Sequence, residues 1–211
     1  MSYKLICFDM DGVIFRDVNF WLELHKVFGT LEQGKILTQK YLHTNYDKLV
    51  EEVVVKLWKG KNAKPYYNLV NQLEYLPGVK RVFKEIKKKG ILTAIISASS
   101  IDVARRAQKD LGIDHIYANE LVIKNGKVSG EFIWPIGAGM EKKANIIEHL
   151  SDDLGIGLEN IAYIGDSDTD IEAFKIVGKS IAFNSASDNL KKVADVVVEG
   201  NDLKNILPYI L

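Results

Sequence analysis

The stretch that decides the fold is Lys4-Leu-Ile-Cys-Phe-Asp-Met-Asp-Gly-Val-Ile14. Its apolar residues, Leu5 to Phe8, stop abruptly at two aspartates, which are followed by Gly12. A short apolar run bounded by a turn signal is typical of a strand that is buried on both faces of a parallel sheet. Open parallel sheets bind ligands at the carboxyl ends of their strands, where Asp9 and Asp11 would lie. The stretch therefore predicts a strand that delivers two carboxylates to a ligand site.

Two carboxylates this close repel one another, and each makes the other harder to ionise unless a cation intervenes. Mg²⁺, which prefers oxygen ligands, would relieve that repulsion and leave one acid available for proton transfer. Gly12 would let the backbone turn sharply and approach a ligand closely. An ordinary Asp-Gly turn after a strand explains the same residues about as well, so the rest of the chain must decide.

The composition is that of an ordinary globular protein, one or two domains in size. The 211 residues are 47% hydrophobic and 27% charged, with 28 basic and 28 acidic side chains. This balance gives no overall field that would attract nucleic acid, and no apolar run is long enough to span a membrane. No signal peptide is recognised, and the single cysteine, Cys7, excludes an internal disulfide. We therefore expect a cytoplasmic protein without nucleic-acid or membrane partners.

The chain divides into two parts that differ in periodicity. Residues 16–75 show helical spacing only, with a stop at Gly29 and a break at Lys64-Pro65. After Leu76-Pro77-Gly78, helices alternate with strands, which implies right-handed crossovers and a parallel sheet. The predicted fold class is α/β: a doubly wound, mainly parallel, Rossmann-like sheet with a small helical domain inserted after the first strand. The core would comprise residues 1–15 and 76–211, and the insert residues 16–75.

Individual elements follow from the same periodicity and from turn residues. Asn125-Gly126 is the strongest short-range hairpin signal and predicts a hairpin over residues 121–128. Strands are predicted over residues 5–8, 91–96, 116–118, 161–164, 180–183 and 193–198. Helices are predicted over residues 20–28, 49–59, 66–76, 79–89, 102–111, 140–150, 171–177, 187–192 and 201–209.

Polar residues suited to one site follow three of these strands and open one helix. They are Asp9 and Asp11, Ser97, Asp166 and Asp170, and, near the start of the helix over residues 140–150, Lys143. Parallel strands end at one edge of the sheet, so residues far apart in sequence can converge there. Acidic clusters, a hydroxyl and a lysine are what metal-assisted phosphoryl transfer needs, because cations neutralise the phosphoryl oxygens while a carboxylate attacks phosphorus.

Taken together, these residues resemble the four motifs of the haloacid dehalogenase superfamily. The motifs are Asp9-Met-Asp11-Gly12-Val13, Ser97 after an apolar strand, Lys143 opening a helix, and Gly165-Asp166-Ser-Asp-Thr-Asp170. Within the superfamily the chain is most similar to phosphoserine-phosphatase-like members, through the hairpin at residues 118–130 and the stretch over residues 143–174. The resemblance covers residues 4–14 and about 76–210. Each motif alone is weak, but all four in order are highly specific.

The resemblance implies a role for each motif residue. Asp9 would be the nucleophile that forms an aspartyl-phosphate, and Asp11 would act first as general acid and then as general base. An acid at position 11 also argues against a dehalogenase. The implied phosphate-binding groups are Ser97, Ala98, Gly12 and Lys143. The implied Mg²⁺ site comprises Asp9, Asp11 through its carbonyl oxygen, Asp166 and, as a support, Asp170.

Several of these residues also have simpler explanations. Ser97 alone is typical of a turn at a strand end, and Asp168 has the spacing of a helix N-cap. Lys142 could take the role of the lysine, although Lys143 fits the family's Lys-x-x-Ile/Leu pattern better. The four histidines show no metal-ligand spacing, so no histidine metal site is expected.

The insert resembles the family's cap, which closes over the site and excludes water. Phosphoserine phosphatases carry a cap glutamate for the substrate amine and a cap arginine for its carboxylate. Here Phe15-Arg-Asp-Val-Asn-Phe20 contains no matching glutamate, and no arginine lies between Arg16 and Arg81. Ala98 stands where those enzymes have glycine. These departures favour a small-molecule phosphomonoester other than phosphoserine, with phosphoserine itself as the alternative, since Asp17 or Glu23 could replace the glutamate and a lysine the arginine.

In place of those charged groups the insert offers aromatic rings and lysines, which would suit a sugar phosphate, a nucleotide or another flat or hydroxylated ligand. They are Phe15, Phe20, Trp21, Tyr41, Tyr46, Trp58 and Lys56.

Two proteins of other classes share part of this pattern. A receiver-type signalling domain also combines an aspartate, Mg²⁺, a hydroxyl residue and a lysine, but its phospho-acceptor follows a later strand and no helical insert follows its first strand. A non-catalytic phosphate-binding relative would usually have lost an acidic ligand, and this chain retains them all.

Overall fold

The structure is a computed structural model that describes residues 3–16 and 19–211. Its seven strands are β1 (Leu5–Phe8), β2 (Leu92–Ser100), β3 (His115–Lys124), β4 (Lys127–Ile133), β5 (Ile161–Gly165), β6 (Lys179–Phe183) and β7 (Val196–Val198). They form one sheet in the order β4-β3-β2-β1-β5-β6-β7. All neighbouring strands are parallel except β3 and β4, which form an antiparallel hairpin. The predicted doubly wound, mainly parallel α/β fold is confirmed.

The helices lie in two groups. The first group forms the insert and comprises α1 (Phe20–Val27), α2 (Leu31–Tyr41), α3 (Tyr46–Val50), which continues into a π-helix (Glu51–Trp58), and α4 (Lys64–Gln72). The others are α5 (Val79–Lys88), α6 (Ile101–Leu111), α7 (Glu141–Leu154), α8 (Ile171–Ile176), α9 (Asp188–Val193) and α10 (Leu207–Ile210), with 3₁₀ turns at Leu158–Asn160, Asp168–Asp170 and Leu203–Ile206. In the described part of the chain, no helix is both long and apolar enough to cross a membrane.

β1 is buried on both faces at the centre of the sheet. Ile6 and Phe8 belong to one apolar cluster, whereas Leu5 and Cys7 belong to a second cluster on the opposite face. This alternation explains why the strand reads as a continuous apolar run. Because β1 lies between β2 and β5, the residues that follow these three strands share one edge of the sheet.

The insert differs from the sequence prediction at three points. α2 was not predicted, because its sequence is mostly polar and contains Gly34. A side chain at Gly34 would overlap the ring of His25, so the glycine allows α1 and α2 to pack closely. Pro65 opens α4 instead of breaking a helix, since a proline fits the first helical turn. The third predicted helix, over residues 66–76, ends at Gln72.

Differences in the core concern the lengths of elements. β2 runs through Ser97 to Ser100, and its pairing with β3 shifts register between those residues. The short strand predicted over residues 116–118 and the first strand of the predicted hairpin form one continuous strand, β3. α7 extends to Leu154, four residues beyond the predicted end, where Gly155 adopts the left-handed conformation that commonly ends helices. β7 starts only at Val196, because α9 occupies the chain as far as Val193.

The insert lies against the core through specific contacts. The backbone N–H of Gly60 donates to Val128 at 2.8 Å, and that of Ala63 donates to Gly126 at 2.9 Å. The hydroxyl of Tyr66 lies 2.7 Å from both Ser100 Oγ and Asp102 Oδ2. The β3–β4 hairpin and the start of α6 therefore support the insert above the carboxyl edge of the sheet. The division into core and insert domains at residues 15/16 and 75/76 stays a prediction.

Candidate active site

A cavity of about 570 Å³ lies where β1, β2 and β5 end, below the insert. Of the residues predicted for the site, those that line it are Asp9, Asp11, Ser97, Ala98, Lys143 and Asp166. Gly12 and Asp170 lie directly behind this surface, where each adjoins Asp166. The predicted convergence of residues from distant motifs is therefore present in the structure.

Asp9 is held in place at the end of β1 by two hydrogen bonds. Its Oδ1 accepts from the backbone N–H of Met10 at 2.6 Å, and its Oδ2 accepts from Lys143 Nζ at 2.7 Å. Burial raises the pKa of Asp9, and the adjacent ammonium group of Lys143 opposes that rise. Asp9 is only 6% exposed, and the lysine orients its carboxylate and balances its charge. These properties suit a nucleophile that must approach an anionic substrate.

Lys143 is completely buried between two carboxylates. Its Nζ lies 2.7 Å from Asp9 Oδ2 and 2.6 Å from Asp170 Oδ1. Burial acts to lower the pKa of Lys143, but Asp170 and Asp9 outweigh it and raise the pKa above its ordinary value. The lysine is therefore charged at neutral pH. Lys142 is exposed, so Lys143 is the residue that completes this cluster.

The start of α7 fixes the position of Lys143. Met140 has a positive φ of 58°, which turns the chain sharply just before the helix begins. The backbone N–H of Met140 donates to the carbonyl of Thr169 at 3.1 Å, and that of Lys143 donates to the carbonyl of Met140 at 3.0 Å. These bonds tie the first turn of α7 to the acidic loop after β5.

Asp170 serves as an anchor for its neighbours. Its Oδ1 accepts from Lys143 and, at 2.9 Å, from the hydroxyl of Tyr163, while its Oδ2 accepts from the backbone N–H groups of Asp166 at 3.1 Å and Ser167 at 3.2 Å. Burial raises the pKa of Tyr163 well above its ordinary value, so its hydroxyl stays a donor. Asp170 thus orients both the lysine and the loop that carries Asp166.

The carboxylates of Asp9, Asp166 and Asp170 form a cluster with the donor atoms that a hard divalent cation prefers. One oxygen from each residue lies within 4.8 Å of the others. Gly12 has a φ of 76°, and a Cβ at this position would overlap the carboxylate of Asp166. The backbone of the first motif therefore makes room for Asp166, and the all-oxygen donor set fits Mg²⁺ or a similar ion.

The carboxyl end of β2 and the loop at Gly137 are held by Asn119 on β3, which sequence reasoning missed. Its side-chain amide donates to the carbonyls of Ala98 at 2.8 Å and Gly137 at 2.9 Å, and its Oδ1 accepts from the backbone N–H of Gly137 at 3.1 Å. Trp21 of the insert also donates, through Nε1, to the carbonyl of Ala98 at 2.9 Å. All four bonds cross between elements, so no local sequence signal indicates them.

Ser99 is a second site residue that the sequence did not single out. It lines the cavity, and its buried hydroxyl has no hydrogen-bond partner among the described residues. Ser97 Oγ lies nearby and accepts from the backbone N–H of Ser99 at 3.2 Å. A buried hydroxyl without a partner is costly, so a ligand in the cavity is the natural partner for Ser99. The run Ser97-Ala-Ser-Ser100 was the available sequence signal.

The prediction for Asp168 is wrong. Ser167 caps the short turn that leads into α8, in a reciprocal capping box with Asp170. Asp168 follows the cap and accepts a hydrogen bond from the hydroxyl of Ser187. Sequence spacing alone did not separate two neighbouring residues that are both good N-caps.

The upper part of the cavity lies within the insert. Four of its predicted aromatic residues line it, namely Phe20, Trp21, Tyr46 and Trp58. Phe15 instead stacks on Tyr75 at 4.6 Å between ring centroids. Lys56 forms ion pairs with Glu51 and Glu52 on the π-helix surface. Phe15, Lys56 and Tyr41 are therefore not among the described residues that line the cavity.

The candidate replacements for the cap glutamate differ in position. Glu23 forms an ion pair with Lys26 and, in the described part of the chain, is not among the residues that line the cavity. Asp17 lies outside the described residues.

The fold and the cluster of aspartates around Lys143 are those expected of a hydrolase of the haloacid dehalogenase superfamily, and comparisons with known proteins agree. The model of the haloacid dehalogenase-like hydrolase family matches residues 6–175. The chain belongs to this family, and the predicted resemblance is confirmed. The chain is 29% identical to phosphoserine phosphatase of Methanocaldococcus jannaschii, over 98% of this chain and 97% of that protein. It is 30% identical to phosphoserine phosphatase of Saccharomyces cerevisiae, over 99% of this chain and 67% of that protein.

Solved structures give the same result. A substrate-bound phosphoserine phosphatase superimposes with a TM-score of 0.85 at 28% identity, and a phospho-aspartyl intermediate analogue of phosphoserine phosphatase with a TM-score of 0.83 at 28% identity. Both comparisons cover 100% of each chain. Family membership and these relatives identify the chain as a phosphatase.

Proposed function

We propose that this protein hydrolyses a small phosphate monoester through a covalent phosphate on Asp9, with Mg²⁺ as its metal. The observation that carries the proposal is the buried contact between Asp9 and Lys143 at the cavity floor. A lysine that is charged and held by a second carboxylate, Asp170, can stabilise both the nucleophile and the phosphoryl oxygens.

In the first half-reaction, a carboxylate oxygen of Asp9 attacks phosphorus and the bond from phosphorus to the ester oxygen breaks. Asp11, which lines the same cavity, donates a proton to the leaving oxygen, so that the alcohol departs neutral. In the second, Asp11 takes a proton from a water molecule that attacks the phosphorus of phospho-Asp9. Inorganic phosphate is released and the Asp9 carboxylate is restored.

Mg²⁺, when bound, would add positive charge that stabilises the phosphoryl oxygens. Asp9, Asp166 and the carbonyl oxygen of Asp11 would hold it. Asp170 would support this set, since its oxygens already accept bonds from Lys143, Tyr163 and two backbone N–H groups. The carboxylate cluster and the room that Gly12 leaves for Asp166 support this assignment.

The phosphate would be bound by hydroxyl and N–H groups at the ends of β1 and β2. Ser97, Ala98, Gly12 and Lys143 are the predicted groups, and Ser99 joins them because its buried hydroxyl has no partner in the described structure. Ser99→Ala should weaken inhibition by inorganic phosphate, measured with p-nitrophenyl phosphate as substrate. Ser129→Ala should leave it unchanged, because Ser129 is not among the described residues that line the cavity.

Residues 16–75 would act as a cap over the site. Trp21 and the other insert residues that line the cavity support this role, because they enclose the catalytic carboxylates from above. Enclosure limits access of water to the aspartyl-phosphate and strengthens electrostatic interactions in the site.

A test uses p-nitrophenyl phosphate with and without Mg²⁺, followed by trapping with beryllium fluoride. We expect Mg²⁺-dependent turnover and a beryllofluoride adduct on Asp9. An adduct on another aspartate would overturn the assignment of the nucleophile. No turnover by folded protein would favour a non-catalytic phosphate-binding protein instead.

Phosphoserine phosphatase proper is the second candidate, and the names of the relatives favour it. Against it stands the environment of the cavity. In the described part of the chain, no arginine lines it, and its carboxylates are those of Asp9, Asp11 and Asp166. Apart from the catalytic groups, Lys35 is the one charged side chain of the described lining, so the amine of serine would have no carboxylate partner there, which disfavours the substrate. A panel of phosphomonoesters tests this: phosphoserine as the best substrate by a wide margin would decide for the second candidate.

A further inference from the structure

The cavity continues from the catalytic carboxylates into an apolar chamber, defined here by Phe20, Trp21, Leu49, Val53, Val54 and Trp58. All of these side chains belong to the insert, and five of them are almost fully buried within the protein. The chamber and the catalytic carboxylates line one continuous space. A molecule whose phosphate lies at Asp9 would therefore extend into the chamber.

The two tryptophans turn carbon surfaces toward this space, because their polar atoms are already used. Trp58 Nε1 donates to Thr30 Oγ1 at 3.1 Å, and Trp21 Nε1 donates to the carbonyl of Ala98 at 2.9 Å. The same Thr30 hydroxyl lies 2.8 Å from Nδ1 of His25. The walls of the chamber are thus fixed by bonds to protein groups, and a ligand meets mainly their apolar faces.

Charge is scarce in the chamber. Apart from the catalytic groups, Lys35 is the one charged side chain among the described residues that line the cavity. Lys35 is half-exposed and forms an ion pair with Glu32 at 3.2 Å. His25 also lines the cavity, and burial lowers its pKa to about 4, so its ring is neutral near pH 7. The other polar residues of the described lining are uncharged: Asn19, Thr38, Gln39 and Tyr46 in the insert, and Ser97, Ser99, Ser167 and Thr169 near the catalytic groups.

The size of the cavity limits which substrates would fill it. The cavity, of about 570 Å³, falls in the range of roughly 300–1,000 Å³ that is typical of pockets for drug-sized ligands. A substrate as small as phosphoserine would leave apolar walls in contact with trapped water, and its amine would have no carboxylate partner outside the catalytic groups among the described residues.

Building on the proposed function, we propose that the substrate is the phosphate monoester of an uncharged, mainly apolar alcohol, whose hydrocarbon body fills the apolar chamber. This replaces the sequence-based expectation of a sugar phosphate or a nucleotide, because the chamber offers few groups that could satisfy several hydroxyls or a second charge. Displacement of water from the walls by the hydrocarbon provides the binding free energy.

The test measures kcat/KM for ethyl, butyl, hexyl and octyl phosphate. Their leaving groups have nearly the same basicity, so differences report binding in the chamber and not intrinsic reactivity. We expect kcat/KM to rise about two- to fourfold for each methylene that the chamber buries. Phosphoserine and phosphoethanolamine should be poorer substrates than butyl phosphate.

A pair of variants locates the effect. Val54→Phe fills part of the chamber and should lower kcat/KM for octyl phosphate about tenfold, which removes most of the dependence of kcat/KM on chain length. Val55, the next residue of the π-helix, is 41% exposed and, among the described residues, is not one that lines the cavity. Val55→Phe is therefore the matched control and should leave the whole series unchanged. Circular dichroism and thermal unfolding establish that both variants are folded.

Binding of the corresponding alkylphosphonates, measured by calorimetry with Mg²⁺, separates the two proposals. If affinity and kcat/KM are both independent of chain length, or fall with it, the apolar substrate class is wrong although the phosphatase function stands. If no ester is hydrolysed but phosphonate affinity rises with chain length, the proposed function fails and the chamber assignment stands. Identical losses in the Val54 and Val55 variants would also overturn the assignment.

Discussion

Nζ of Lys143 lies 2.7 Å from Oδ2 of Asp9, although 134 residues separate them in sequence. The same ammonium group is 2.6 Å from Asp170, so one buried cation serves two buried carboxylates. An electrostatic interaction between buried groups is much stronger than one in water, and each group depends on the others for its charge. The contact therefore links the stability of the protein to its chemistry.

Replacement of Lys143 should reveal both effects. Lys143→Met leaves two buried carboxylates without their cation, and removal of one partner of a buried ion pair typically costs about 3–5 kcal/mol. We expect a loss of that size in the free energy of unfolding, measured by urea denaturation in metal-free buffer at pH 8, together with loss of turnover. Lys142→Met is the matched control, because Lys142 is exposed. A change below about 0.5 kcal/mol is expected there, and equal effects in both variants would contradict the assignment.

Asp9→Asn should abolish turnover. The amide is neither a nucleophile nor an adequate metal ligand, and it cannot form an ion pair with Lys143. The measurement is hydrolysis of p-nitrophenyl phosphate at saturating Mg²⁺, with circular dichroism to establish that the variant is folded. Residual activity above about one-thousandth of the wild type, after exclusion of deamidation by mass spectrometry, would argue for another nucleophile.

Asp11→Asn should slow both half-reactions without preventing phosphate binding. General acid–base catalysis contributes roughly 10²–10⁴-fold, so kcat should fall within that range. The loss should be smaller for substrates with good leaving groups, such as p-nitrophenyl phosphate, than for alkyl phosphates, since the former need less protonation. An equal loss for both kinds of ester in the formation of the intermediate would speak against Asp11 as the general acid.

Gly12→Ala should increase the Mg²⁺ concentration needed for half-maximal activity. Gly12 has a φ of 76°, and a Cβ there would displace the carboxylate of Asp166. Gly29→Ala is a control for backbone strain, because Gly29 has a similar φ of 68° but no atom within 4 Å of its added Cβ. We expect a shift of about tenfold or more in the first variant and none in the second. Removal of metal by a chelator should stop turnover in the wild type and in both glycine variants, and added Mg²⁺ should restore it.

His25 should make the stability of the protein depend on pH. Burial lowers its pKa from 6.5 to about 4, so between these values the unfolded chain binds a proton that the native protein does not. The stabilisation that this difference provides is present above pH 6.5 and is lost as the pH falls toward 4. His25→Gln should flatten the decrease in Tm over this range, whereas His43→Gln, at an exposed position, should not. Parallel Tm curves for wild type and His25→Gln would contradict the prediction.

Most of the fold could be predicted because its sequence signals are local. β1 is a continuous apolar run since both of its faces are buried, and the alternation after Pro77 specifies a parallel sheet. α2 was missed because most of it faces solvent and its glycine, Gly34, serves packing against His25. Its periodicity therefore carries little information.

The sequence by itself determined the family: a strand ending in Asp9 and Asp11, a serine, a lysine and a second acidic loop follow in the order that this family has. The tertiary structure decided which lysine is buried, that Asp170 anchors Lys143, and that Ser99 and Asn119 belong to the site. It also decided the shape of the chamber beside Val54. The physical reason is that periodicity reports which face of an element is buried, whereas a cavity is the space that several distant elements together leave unfilled.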